Sequence, residues 1–136
     1  MKMGMTSFGV GICVDIIENA VEFYTKVFGF ELKGIDLFPE GNPNCGKYMH
    51  AEMWKDGKCL FGIQGLSESE RGFDAEKQII KFGAWFDNES ELREVFDSLS
   101  DGGIVKDPFG TVESWSPCCA TVIDKYGITW WISVVD

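Results

Sequence analysis

Residues 15–30 read Asp-Ile-Ile-Glu-Asn-Ala-Val-Glu-Phe-Tyr-Thr-Lys-Val-Phe-Gly-Phe. Apolar side chains at Ala20, Phe23, Tyr24 and Val27 recur at helical spacing, so one face of this stretch must be buried. The helix is predicted over residues 16–28. Asp15 with Glu18 three residues on resembles a capping box, and Gly29 supplies the left-handed stop. An apolar, β-like run over residues 8–14 comes just before. The same pattern returns at a constant offset of 72 residues, from Asp15 to Asp87. Asp87 caps a second helix starting near Asn88, Leu92, Val95, Phe96 and Leu99 take the apolar places, and Asp101-Gly102-Gly103 ends it. A β-like run over residues 80–86 leads into this copy. A strand-helix unit repeated in one chain restricts the architecture, because each copy has an apolar helix face to cover.

Outward from these helices lie alternating β-branched and aromatic runs at residues 30–38, 48–54 and 58–64, and again at 104–113, 118–124 and 128–134. Asp56-Gly57 is a hairpin turn between two strands. Asp124-Lys125-Tyr126-Gly127 is its counterpart at an offset of about 70, so the halves slip by roughly two residues there. Residues 39–46 read as a loop, and the polar stretch 67–76 as a linker. Each half is then strand, helix and three strands. The fold class is α+β, with module one at about 7–66 and module two at about 78–135 of a single domain spanning 1–136.

The chain has 136 residues, enough for a core without staples. Its net charge of -10 argues against nucleic acid and against an anionic membrane surface; it either favours a cationic small molecule or merely keeps the protein in solution. No apolar run approaches bilayer-spanning length, and the first residues lack the pattern of a signal peptide. Five cysteines, Cys13, Cys45, Cys59, Cys118 and Cys119, show no CxxC spacing, and the adjacent pair would point to opposite sheet faces. Free thiols in a cytoplasmic protein are expected.

The string Glu22-Phe23-Tyr24-Thr25-Lys26-Val27-Phe28-Gly29-Phe30 resembles the first-helix motif of the vicinal oxygen chelate superfamily, which groups glyoxalase I, bleomycin-resistance proteins and extradiol dioxygenases. Residues 48–53 and 124–130 resemble its PhnB-like branch. The resemblance covers residues 8–134. It implies two βαβββ modules whose curved mixed sheets surround a cleft, with the helices outside, and a homodimer. The superfamily's metal enzymes place ligands at four inward positions, which align with Gly9, Phe61, Lys81 and Trp131 here. None is a plausible divalent-metal ligand, and a one-residue slip does not help. No metal and no other cofactor is therefore expected.

Strand alternation then sets out what lines the implied cleft. Gly9, Gly11 and Cys13 face inward, with Phe8, Val10 and Ile12 toward the helix. The two glycines either leave room for a ligand or mark sheet curvature. Tyr48, His50, Glu52 and Trp54 share one face, and Met49, Ala51 and Met53 the helix side. His50, the single histidine, with Glu52 is either an acid/base pair or a structural hydrogen bond. Cys59, Phe61, Ile63, Lys81, Gly83, Trp85, Thr129 and Trp131 turn inward by the same rule. The aromatics are either core or walls of an apolar pocket. Lys81 is a nucleophile, an anion anchor, or an ion-pair partner of Glu52 or Glu22. Trp115 and Phe109 stand near the cleft mouth. The expected function is metal-free binding of an apolar or cationic aromatic molecule by Tyr48, Trp54, Phe61, Lys81, Trp85, Trp115 and Trp131. The alternative is a lyase, isomerase or dioxygenase, metal-dependent or using His50 and Glu52; a cleft filled by the protein's own side chains is a third reading.

Overall fold

The computed structural model describes residues 4–135. The chain divides into two compact units, with the boundary between Ser69 and Glu70. Unit one contains β1 (Gly11–Val14), α1 (Ile17–Phe28), β2 (Glu31–Leu37), β3 (Tyr48–Lys55) and β4 (Lys58–Gly65). Unit two repeats the order with β5 (Phe82–Phe86), α2 (Glu89–Ser100), β6 (Ile104–Glu113), β7 (Ser116–Ile123) and β8 (Thr129–Val134). The strand orders β1-β4-β3-β2 and β5-β8-β7-β6 are the same arrangement twice. In each, the first and last strands pair in parallel and the other pairings are antiparallel. The α+β class and the duplicated βαβββ module are both present.

Each helix lies on one face of its sheet, and the core forms between them. Ile17, Ala20, Val21 and Tyr24 of α1 are buried against Ile12, Val14, Ala51, Met53, Phe61 and Ile63. The Tyr24 ring meets Phe61 edge-on at 5.9 Å, and Phe30 meets it at 5.8 Å. In unit two, Leu92, Val95 and Leu99 cover Ala120, Val122, Trp130 and Ile132. The opposite face of each sheet has no helix from its own unit.

Helix entry differs from the sequence expectation. The first helix is capped at Ile16, with no side-chain cap, while Asp15 Oδ1 accepts from the Ile16 N–H. Glu18 does not reach back to close a box; its carboxylate accepts from the Tyr48 N–H at 3.2 Å and ties the helix to β3. In α2 the cap is Asn88 rather than Asp87, its Oδ1 accepting from Glu91 N–H at 2.9 Å. Gly29 ends α1 in the left-handed region at φ 72° as expected.

Two strand starts are later than the apolar runs suggest. Pairing begins at Gly11 and Phe82, which leaves Phe8, Ile79 and Ile80 strongly exposed. Phe8 and Val10 therefore do not pack on the helix, although Ile12 does. The stretch read as a linker holds 3₁₀ turns at Glu68–Glu70 and Ala75–Lys77. From residue 70 it belongs to unit two: Gln78 donates to the Gly127 carbonyl at 3.1 Å, and the Phe73 ring lies where a side chain on Gly127 would be.

Candidate functional site

The helix-free face of unit one is polar. Tyr48, His50, Glu52 and Trp54 alternate with buried Ala51 and Met53, so the four project together from β3. His50 and Glu52 do not pair with each other. His50 Nδ1 lies 3.7 Å from Asp36 Oδ2, across the β2–β3 register, and its Nε2 sits above Gly62, where a Cβ would come within 2.9 Å. Glu52 Oε1 instead accepts from the Trp54 indole N–H at 3.0 Å. The Lys33 ammonium stands 5.1 Å over the Trp54 ring. Gly34, at φ 58°, leaves the Glu52 carboxylate the space that a Cβ would take. Beside them Gln64 reaches Cys13 Sγ at 3.6 Å. The Cys59 thiol is pushed up from its ordinary value by desolvation first and by the Glu52 charge second.

Phe61 is not on this face. At 4% exposed it lies beneath α1, and Ile63 is likewise buried. A bulge explains the reversal. Met53 pairs with Phe61 but Trp54 pairs with Cys59, so Leu60 is an extra residue. Cys59 shares the open side with Trp54, and beyond Leu60 the alternation resumes out of step. Gly62 and Gln64 take the places expected for Phe61 and Ile63.

On the helix-free face of unit two, Trp85 and Trp131 meet edge-to-face with centroids 5.7 Å apart. Gly83, in register with Trp131, leaves space for the Trp85 ring, which a Cβ there would meet at 2.9 Å. Trp85 is 60% exposed. Trp115 is 65% exposed in the turn between β6 and β7. Phe109 is turned the other way, packed at 5.8 Å against Phe96 of α2 with the Arg93 guanidinium 4.8 Å over its ring. Lys81 precedes β5 instead of lying within it, and lines a cavity of about 150 Å³ beneath the 70–81 segment. It forms no ion pair among the described residues, with Glu52, Glu22 or any other acid.

The four positions that the resemblance aligns with the superfamily's metal ligands carry no metal donor. Gly9 has no side chain, Phe61 is under the helix, Trp131 offers no lone-pair ligand and Lys81 is a cation. Among the described residues no three His, Cys, Asp or Glu side chains come together as a metal set. Sequence alone missed Asp36 as the His50 partner, because the long loop between β2 and β3 leaves their register open. It also missed Thr121 in the floor of the Lys81 cavity, beside Thr129, which alternation does turn inward; alternation along β7 contained the same signal.

Two βαβββ units with parallel first and last strands define the class: this is a vicinal oxygen chelate fold of the PhnB-like branch. The chain belongs to the 3-demethylubiquinone-9 3-methyltransferase family, whose model matches residues 13–133. Among solved structures it is similar to the PhnB protein of Bacillus cereus, with a TM-score of 0.79 at 22% identity over 96% of this chain and 100% of that one. A glyoxalase/bleomycin resistance protein/dioxygenase family enzyme from Burkholderia phytofirmans gives 0.65 at 14%, over 93% and 96%. A glyoxalase-related enzyme from Fulvimarina pelagi gives 0.64 at 14%, over 96% and 88%. These identities carry the fold alone. No curated protein matches the chain. Among the described residues no helix is long and apolar enough to cross a membrane.

Proposed function

We propose that the chain is a small-molecule binding protein that works without the superfamily's metal and takes an apolar or cationic aromatic ligand on its helix-free sheet faces. The observation that carries this reading is Trp85, an indole more than half exposed, held edge-to-face against Trp131 over a glycine. A solvent-facing tryptophan fixed by a neighbour is a ready wall for a planar molecule. A cation over such a ring gains about 0.5–2 kcal/mol. The net charge of -10 draws cations toward the chain from a distance. The methyl transfer in the family's description belongs to that description; the sheet faces of this chain support binding. The resemblance also implies that two copies pair, which sedimentation of the purified chain tests.

A second reading is acid/base chemistry, favoured by the half-exposed His50 beside Asp36. Two measurements separate the readings. Protein purified without chelator is expected to carry no stoichiometric metal. Its tryptophan fluorescence is expected to respond saturably to a planar cation such as ethidium, with the response lost in Trp85→Ala. Bound metal in stoichiometric amount, or an unchanged response in Trp85→Ala, would overturn the binding proposal.

A further inference from the structure

Unit two holds a cavity that the aromatic face does not use. Its floor is the helix-free side of β7 and β8, and its roof is the 70–81 segment, held down by the Gln78–Gly127 hydrogen bond and by Phe73. Thr121 and Thr129 in the floor are 2% and 5% exposed. Neither hydroxyl has a hydrogen-bonding partner among the described residues. No buried side-chain oxygen or nitrogen is left unsatisfied there either, so both hydroxyls open onto the cavity. A bound polar group would give each hydroxyl the hydrogen-bond partner it lacks.

The charges around the cavity narrow the chemistry. Lys106 pairs with Glu76 at 3.7 Å, and the two neutralise one another. Lys81 and Asp107 remain, one of each sign, with no ion pair among the described residues. Asp107 is in register with Thr121, so acid and hydroxyl stand on the same face. Ala75 and Ile123 add a small apolar wall. At about 150 Å³ the cavity has room for a molecule of about benzene's bulk. With these walls the match is a molecule of similar bulk carrying one positive and one negative group.

We propose that this cavity binds a small zwitterion of the amino-acid class, its carboxylate toward Lys81, its ammonium toward Asp107, its polar atoms met by Thr121 and Thr129, and a short aliphatic side chain against Ala75 and Ile123. A lone anion would leave Asp107 opposed to it, and a lone cation would leave Lys81 so; a zwitterion satisfies both.

The test is a titration of the isotopically labelled full chain with L-alanine, followed by amide resonances. Propionate and ethylamine, the same molecule lacking one charged group, are the controls. Saturable shifts centred on Thr121, Ile123 and Thr129 are expected with L-alanine, and much weaker binding with either control. Lys81→Gln and Asp107→Asn, both at exposed positions, should each weaken L-alanine about tenfold, the worth of one charge-assisted hydrogen bond. Thr121→Val keeps the shape and should also weaken it. Absence of saturable shifts would overturn the proposal. So would propionate binding as tightly as L-alanine with indifference to Asp107→Asn, or wild-type affinity in all three variants.

Discussion

Trp130 and Trp131 are neighbours in the chain with opposite surroundings. Trp130 is 2% exposed, packs edge-on against Phe82 at 5.2 Å, and donates its indole N–H to Asp124 Oδ2 at 2.9 Å. Asp124 also accepts from the Tyr126 and Ile128 amides, so this carboxylate organises the β7–β8 turn. Trp131 is half-buried on the other face against Trp85. Calorimetric unfolding should therefore show a loss of about 3–5 kcal/mol for Trp130→Ala. Trp131→Ala should lose nearer 1 kcal/mol, the scale of one aromatic pair. Equal losses would place both rings in the core. Gly34 is a second sensitive residue: at φ 58°, with the Glu52 carboxylate in the way, Gly34→Ala should lose about 1–3 kcal/mol in the same measurement. Gly34→Ala with Glu52→Ala should recover part of that loss, because the collision is gone and only the dihedral strain remains.

Elements were legible wherever a period ran uninterrupted. Both helices, the Gly29 stop and the face shared by Tyr48, His50, Glu52 and Trp54 follow from repeating apolar positions in residues 15–30, 48–54 and 87–102. Three things were not. The caps shifted because Asp15 bonds its own neighbour's amide and Glu18 finds a partner 30 residues away, a tertiary choice that local sequence does not encode. Phe61 changed sides because alternation across Leu60 is broken by one residue. The 67–76 stretch read as a linker because its residues are mostly polar, yet Phe73 within it and Gln78 just beyond it anchor the chain to the β7–β8 turn. That anchoring makes an element-scale prediction. Phe73→Ala should speed amide hydrogen exchange in residues 74–79 and leave the β7 and β8 amides at their original rates. Uniform acceleration throughout unit two would mean the segment is part of the core.

At the scale of the molecule, the Cys118 thiol shapes the alkaline limit of stability. Burial first, then the Glu89 charge, raises the Cys118 thiol above its ordinary value of 9.0. As the pH passes that value the unfolded chain gives up its proton while the native state keeps it. The contribution, whole below the ordinary thiol range, is therefore lost as pH climbs through the folded value. Denaturant melts between pH 8 and 10 should show stability falling more steeply in the native sequence than in Cys118→Ala. Parallel slopes would mean that the thiol ionises alike in both states.

The extra residue at Leu60 sets the last strand pairings of the two units apart. Where β7 and β8 pair without interruption, counting by twos names the face of every side chain. In β4 the same count fails past residue 60, as a stripe fails past a missed stitch. One extra residue thus turns every later side chain on that strand to the other side of the sheet from where an unbroken count puts it. A change of phase resets a whole strand's outward chemistry at once, where a substitution resets one side chain. A count by twos along β4 names the wrong face until that stitch is included.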